Sequence, residues 1–208
     1  MKKISIVLVV LLSCFTFEAS AQFGLANRIK LISGNLAFLK GEANLNVEFN
    51  YDDMKVGEMS EVDYMVKHMS DLDRAKAGSG DEWKKKWNED RSLKFEPAFM
   101  KTFAKRLSKL GTVASKGNAS AKYTVIIKTI KTEPGVYTGI SYAQKDAFID
   151  VRVIFIETSN PAAPLAEVTG TYVKGKETFD TSARITYSYT SWGNILGAFI
   201  VSQIKKLK

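Results

Sequence analysis

A strict two-residue alternation limits what this chain can fold into. Ala147, Ile149, Val151, Val153 and Phe155 fall on one side of an extended chain, with Asp150 and Arg152 on the other. Successive strand side chains point to opposite faces, so this pattern requires a sheet with one buried and one wet face. Residues 43–51 repeat it: Ala43, Leu45, Val47, Phe49 and Tyr51 alternate with Asn44, Asn46, Glu48 and Asn50. Residues 122–132 and 165–174 read as further strands. Residues 160–164 read as the turn that joins 147–157 to 165–174 in an antiparallel hairpin. Residues 182–189 are a candidate for one more strand.

Between the strands the apolar period changes from two to between three and four. Residues 60–77 read as a helix, with Ser60 as cap, Asp63 at the capping-box position, Gly78 as stop and Val62, Met65, Met69 and Leu72 on one stripe. Gly78-Ser79-Gly80 reads as a flexible break. After it, residues 81–90 carry Trp83 and Trp87 one turn apart among Lys84, Lys85 and Lys86. Residues 97–110 read as a second helix, opened by Pro97 and stopped by Gly111. Its stripe is Phe95, Phe99, Phe103, Leu107 and Leu110. Residues 112–121 are small and polar, hence a loop. Residues 194–207 read as a closing helix through Ile195, Leu196, Phe199, Ile200, Ile204 and Leu207. Helices segregated from hairpins imply an α+β fold, a mostly antiparallel sheet with helices packed on it, in a single domain over residues 43–208. Residues 22–42 form an N-terminal arm, with either a short helix or an edge strand.

The N-terminus reads as a signal peptide over residues 1–21. Lys2-Lys3 is the basic region, residues 4–12 the apolar one, and Ala19-Ser20-Ala21 the small-residue cleavage site. The apolar run is shorter than the ~20 residues of a membrane span. The alternative is a lipobox, Leu11-Leu12-Ser13-Cys14, which would leave an acylated Cys14 at the mature N-terminus. Cleavage after Ala21 is the preferred expectation, because Leu12 is large for a lipobox. It removes Cys14, the sole cysteine, and with it any disulfide or thiol chemistry. His68 is the sole histidine, so a zinc site or a catalytic triad lacks partners. It reads as a solvated helix residue, and no cofactor or metal is expected.

Removing Lys2, Lys3 and Glu18 with the leader lowers the formal net charge from +8 to +7. In an exported chain such charge points away from nucleic acid, toward an envelope protein or an anionic lipid or polymer surface. The candidate binding residues are Lys101, Lys105 and Lys109, at four-residue spacing, in a stretch from Ala98 to Gly117 that holds no Asp or Glu. Arg106 stands nearby, and Lys205, Lys206 and Lys208 join them if the two helices pack side by side. The competing reading is a solvated face.

Other patterns carry less. Asp71, Asp73 and Glu82 match three ligand positions of a calcium loop, but Ala75 and Lys76 fill two that calcium needs. Asp52 or Asp53 could supply one carboxylate of the pair that a hydrolase acting on an extracellular polymer would use, but nothing in the sequence places a second one opposite, and a turn is the plainer role. Trp83, Trp87, Tyr187, Tyr189 and Trp192 could form a sugar-stacking platform, although Trp83 and Trp87 more simply pin a helix to the core. Gly193-x-x-x-Gly197 is a small-residue motif, read here as close packing on the sheet.

The stretch Phe95 to Phe155 resembles the α/β domain shared by the curli-secretion channel subunit and by lipoprotein activators of penicillin-binding proteins. A helix ending in Arg106-Leu107 leads to a strand opening Ala121-Lys122-Tyr123, then to the strand at 147–157. The segment from Leu36 to Gly57, followed by Trp83 and Trp87, is similar to secreted bacterial envelope proteins. The resemblance implies a non-enzymatic scaffold or assembly factor.

Overall fold

The structure is a computed structural model that describes residues 28–140 and 143–207. The expected signal peptide, Cys14 and the expected cleavage site lie outside the described residues. The strands are β1 (Ile29–Gly34), β2 (Asn44–Asn50), β3 (Lys55–Val56), β4 (Met59–Ser60), β5 (Val113–Lys116), β6 (Tyr123–Glu133), β7 (Phe148–Glu157) and β8 (Asn160–Lys174). The helices are α1 (Glu61–Ala75), α2 (Ser79–Asp90), α3 (Glu96–Leu107) and α4 (Thr181–Lys205). A π-helical turn, Arg91–Phe95, joins α2 to α3.

The sheet order is β1-β8-β7-β6-β2-β5, with β3 and β4 extending the end of β6. Strands β1, β8, β7 and β6 pair antiparallel, and β2 pairs parallel with both β6 and β5. A parallel neighbour needs a crossover. Here β3, β4 and α1–α3 supply it between β2 and β5. The fold is α+β with a mostly antiparallel sheet, and residues 29–34 of the arm are its edge strand.

The alternation does what it requires. Ile149, Val151, Val153 and Phe155 are buried and form one core cluster with Val125 and Ile127 of β6 and Leu45 and Val47 of β2. Phe99, Phe103 and Leu107 of α3 and Trp192, Leu196 and Ile200 of α4 cover them. The other face carries Lys128 opposite Arg152, which pairs with Glu167 at 2.6 Å.

The structure corrects five local expectations. Residues 182–189 are the start of α4, not a strand. Asp180 caps it by accepting from the Ala183 N–H at 2.7 Å, and Ile185, Ser188, Tyr189 and Trp192 are buried at helical spacing. The loop over 112–121 contains β5, whose partner β2 is remote in sequence. Residues 160–164 belong to β8, and Thr158-Ser159 make the turn. Gly78 is no flexible break: its left-handed φ of 83° starts α2, and the Gly80 N–H donates to Asp73 Oδ1 at 2.8 Å. Asn46 is buried rather than wet, because its amide bonds Thr124 Oγ1 and its Oδ1 accepts from the Asn118 N–H.

Candidate functional site

Two glycines shape the basic face. The Gly193 Cα leaves no room for a side chain against the Phe99 carbonyl, and a Cβ on Gly197 would lie 2.5 Å from Arg106 Cβ. The motif therefore packs on α3, not on the sheet. Gly193 meets Phe99 and Gly197 meets Phe103 and Arg106, so α3 and α4 run in the same direction. Thr102 Oγ1 locks the pair by donating to the Thr190 carbonyl at 2.9 Å. Parallel helices bring both C-terminal ends to one edge of the molecule.

At that edge a cleft of 460 Å³ opens between the helices. Arg106, Lys109, Lys205 and Lys206 line it over a floor of Ala198, Val201 and Ser202. Arg106 is oriented by Nε, which donates to Asn194 Oδ1 at 2.7 Å. Cations at helix C-termini have a structural role, since each helix end carries about −0.5 of a charge. Four cations against two such ends leave the cleft positive.

Lys101, Lys105 and Lys109 are all exposed. Lys101 and Lys105 stand on α3, and Lys109 lies just past it in the turn Ser108–Leu110. None of the three makes an ion pair among the described residues. Only Lys109 enters the cleft. Lys101 and Lys105 extend the positive ridge up α3. The four-residue spacing marks the lysines. It does not mark Arg106 as a cleft residue, because its placement depends on Gly197, ninety-one positions on.

The acidic candidates are engaged elsewhere. The Asp52 N–H donates to Asn50 Oδ1 at 3.0 Å, and Asp53, at a left-handed φ of 60°, faces Lys128 at 3.7 Å. Both are turn residues. Asp53 and Glu61 share a second cleft, of 390 Å³, beside Tyr51 and Met54. Glu61 is held there by Arg91 and by Trp87 Nε1, which donates at 2.6 Å. Burial, the nearby Tyr189 and the Glu96 carboxylate push the Tyr51 phenol far above its ordinary range. Burial likewise pushes Tyr189 up to about 12. Neutral phenols here serve as hydrogen-bonding core groups, as in the 2.7 Å bond between Tyr189 and Thr129. Asp71 binds Lys67 and Arg74, and Asp73 binds Gly80, so the calcium-like triplet is dispersed along a helix hairpin.

The five-residue aromatic platform is divided. Tyr189, Trp192 and Trp87 are core residues, whereas Trp83 is half-buried and stacks on Trp87 with ring centroids 5.4 Å apart. His68 is half-buried rather than fully solvated: its ring sits 4.3 Å from Trp83 and stacks on Tyr64. Among the described residues no helix is long and apolar enough to cross a membrane.

No protein-family model matches the chain, and no curated protein matches it. Among solved structures, the PelC dodecamer from Paraburkholderia phytofirmans is similar at TM-score 0.40 and 15% identity, covering 80% of this chain and 96% of that chain. A point variant of that PelC dodecamer in a second crystal form is similar at TM-score 0.40 and 16% identity, covering 82% of this chain and 97% of that chain.

Proposed function

We propose that this is a non-catalytic, exported protein of the bacterial cell envelope that docks on an anionic surface through the α3–α4 edge. One observation carries the reading. The helical layer holds no carboxylate side chain from Ala98 to Gly117 or from Thr181 to the C-terminus, and its cations converge on one cleft. A face that served solubility alone would be expected to mix both signs. The leader pattern at residues 1–21 supports an envelope location, and the resemblance of residues 95–155 to envelope assembly factors supports a binding role.

The strength follows from the count. An exposed Lys near anionic lipid contributes about 1 kcal/mol, decaying over a Debye length of about 8 Å at physiological salt. Lys101, Lys105 and Lys109 with the cleft cations give reversible, salt-sensitive attachment. The test is co-sedimentation with phosphatidylglycerol-containing and pure phosphatidylcholine vesicles. Wild type should pellet only with the anionic vesicles and be released by salt. The Lys101→Gln/Lys105→Gln/Lys109→Gln variant should stay folded and pellet less. Failure of wild type to bind anionic vesicles at low salt, or equal binding by the variant, would leave the ridge a solvated face.

A further inference from the structure

A third depression, of 340 Å³, lies at the far end of the molecule from the basic cleft, between the α1–α2 hairpin and the first turn of α4. Its floor is apolar: Trp83, Trp87, Phe95 and Ile185. Trp87 is fixed in place by its hydrogen bond to Glu61 and by Tyr64, whose ring is 5.5 Å away. Trp83 is half-buried, and its Nε1 makes no hydrogen bond among the described residues. The rim is a chain of alternating acceptors and donors. Lys94 Nζ donates to Asp90 Oδ1 at 2.8 Å and to Ser182 Oγ at 3.0 Å. Lys86 and Asp180 complete it.

We propose that this groove binds a short, neutral saccharide, with the half-buried Trp83, backed by the buried Trp87, against the apolar C–H face of a sugar ring and the Asp90–Lys94–Ser182 chain reading its hydroxyls. The rim selects the ligand class. A multiply charged anion would face Asp90 and Asp180, and a cation would face Lys86 and Lys94. A wholly apolar ligand would strip water from all four without replacing its hydrogen bonds, which is costly. A sugar hydroxyl both donates and accepts, so it suits each rim group in turn. The volume is at the low end of ligand pockets, roughly 300–1,000 Å³. It admits a short saccharide and excludes a helix. This inference stands apart from the basic edge and uses none of its residues.

Tryptophan emission tests it directly. The chain has three tryptophans; Trp192 and Trp87 are buried, so the half-buried Trp83 supplies the ligand-sensitive signal. The probes are the β-1,4-linked trimers of N-acetylglucosamine and of glucose, titrated into the intact exported protein, with glycerol as a polyol that has no ring. At least one trimer should give a saturable change at up to millimolar concentration, and glycerol none. Trp83→Ala should abolish saturation. Ser182→Ala keeps the aromatic floor and should weaken binding several-fold, so the inference stays testable if Trp83→Ala does not fold. The triple lysine variant of the basic ridge should bind the trimer as wild type does. No saturable response to either trimer, or unchanged affinity in a folded Trp83→Ala protein, would overturn the proposal.

Discussion

Gly197 and Arg106 occupy adjoining volumes so tightly that a single added methyl group would fall 2.5 Å from the arginine Cβ. The arginine stem therefore lies directly on the α4 backbone, and its guanidinium Nε reaches Asn194 Oδ1 at 2.7 Å. Four residues earlier Gly193 gives Phe99 and Thr102 the same clearance. The small-residue motif is thus the cause of the basic cleft. It lets two helices run together closely enough for their cationic ends to meet.

Gly197→Leu should therefore lower both stability and vesicle binding. Replacing a helical glycine gains up to about 1 kcal/mol of helix propensity. Overpacking against Arg106 costs about 1–3 kcal/mol, and more where backbone must move. The net loss should appear as a lower denaturant midpoint, with release from anionic vesicles at lower salt. An unchanged midpoint would show that α3 and α4 separate without penalty.

Phe103 is fully buried and stacked on Phe99, with ring centroids 4.9 Å apart. It fills the space between α3 and the sheet, and nothing polar can follow it into that site. Phe103→Ala should cost about 3–5 kcal/mol. Typical domain stability is about 5–15 kcal/mol. Equilibrium unfolding in denaturant measures it, and a shift below about 1 kcal/mol would contradict the packing.

His68 gives the protein an acid-sensitive element. Burial holds its pKa below the usual 6.5; Asp71 acts to raise it and Lys67 to lower it. Lys86 and Asp90 of α2 share its groove. As pH falls through about 6.5 the unfolded chain takes up a proton that the folded chain resists, so the unfolded state binds more protons. The His68 contribution is therefore complete above that pH and lost as pH falls toward the folded pKa. Melting temperature should decline with acidification over this window, and more shallowly in His68→Gln. Parallel profiles for the two proteins would place the acid sensitivity elsewhere.

Much of this was legible in the sequence where the signal is local. The alternation at Ala147–Phe155, the Ser60 cap and the Phe99–Phe103 stripe each depend on neighbours within one element. The misread segments depend on distant ones. Ile185, Tyr187 and Tyr189 alternate as a strand would, but a helix buries Ile185, Tyr189 and Trp192 against the sheet and α3 together. Strand β5 is short and small, and β2 alone defines it. The basic residues are visible as a run of cations without acids. Their convergence is not, because it rests on two glycines in another helix. His68 reads as solvated until the hairpin places Trp83 against it.

Arg184 carries no local signal at all, yet it ties two loops to α4. It is buried, and no ion pair satisfies it among the described residues. Its Nε donates to the Pro134 carbonyl at 2.9 Å, Nη1 to Thr178 and Phe179 at 2.6 and 3.0 Å, and Nη2 to Gly135 and Thr181 Oγ1 at 3.3 and 2.8 Å. Burial draws its proton affinity down, with the Asp180 charge opposing. A planar fork of five donors serves this set of diverging acceptors, and an ammonium group cannot. Arg184→Lys keeps the charge but should leave several carbonyls unpaired, each hydrogen bond to a charged group being worth about 1.5–3 kcal/mol. A loss of about 2–4 kcal/mol is expected, since part of the set is retained by lysine or by water. The damage should be local. Tyr137 and Phe179 pack at 4.8 Å across the two loops that Arg184 holds, so protease cleavage there should rise first. Amide exchange in β6 and β7 should remain slow under conditions where the loops open. Equal protection of loops and sheet in the variant would mean that Arg184 is not what fastens them.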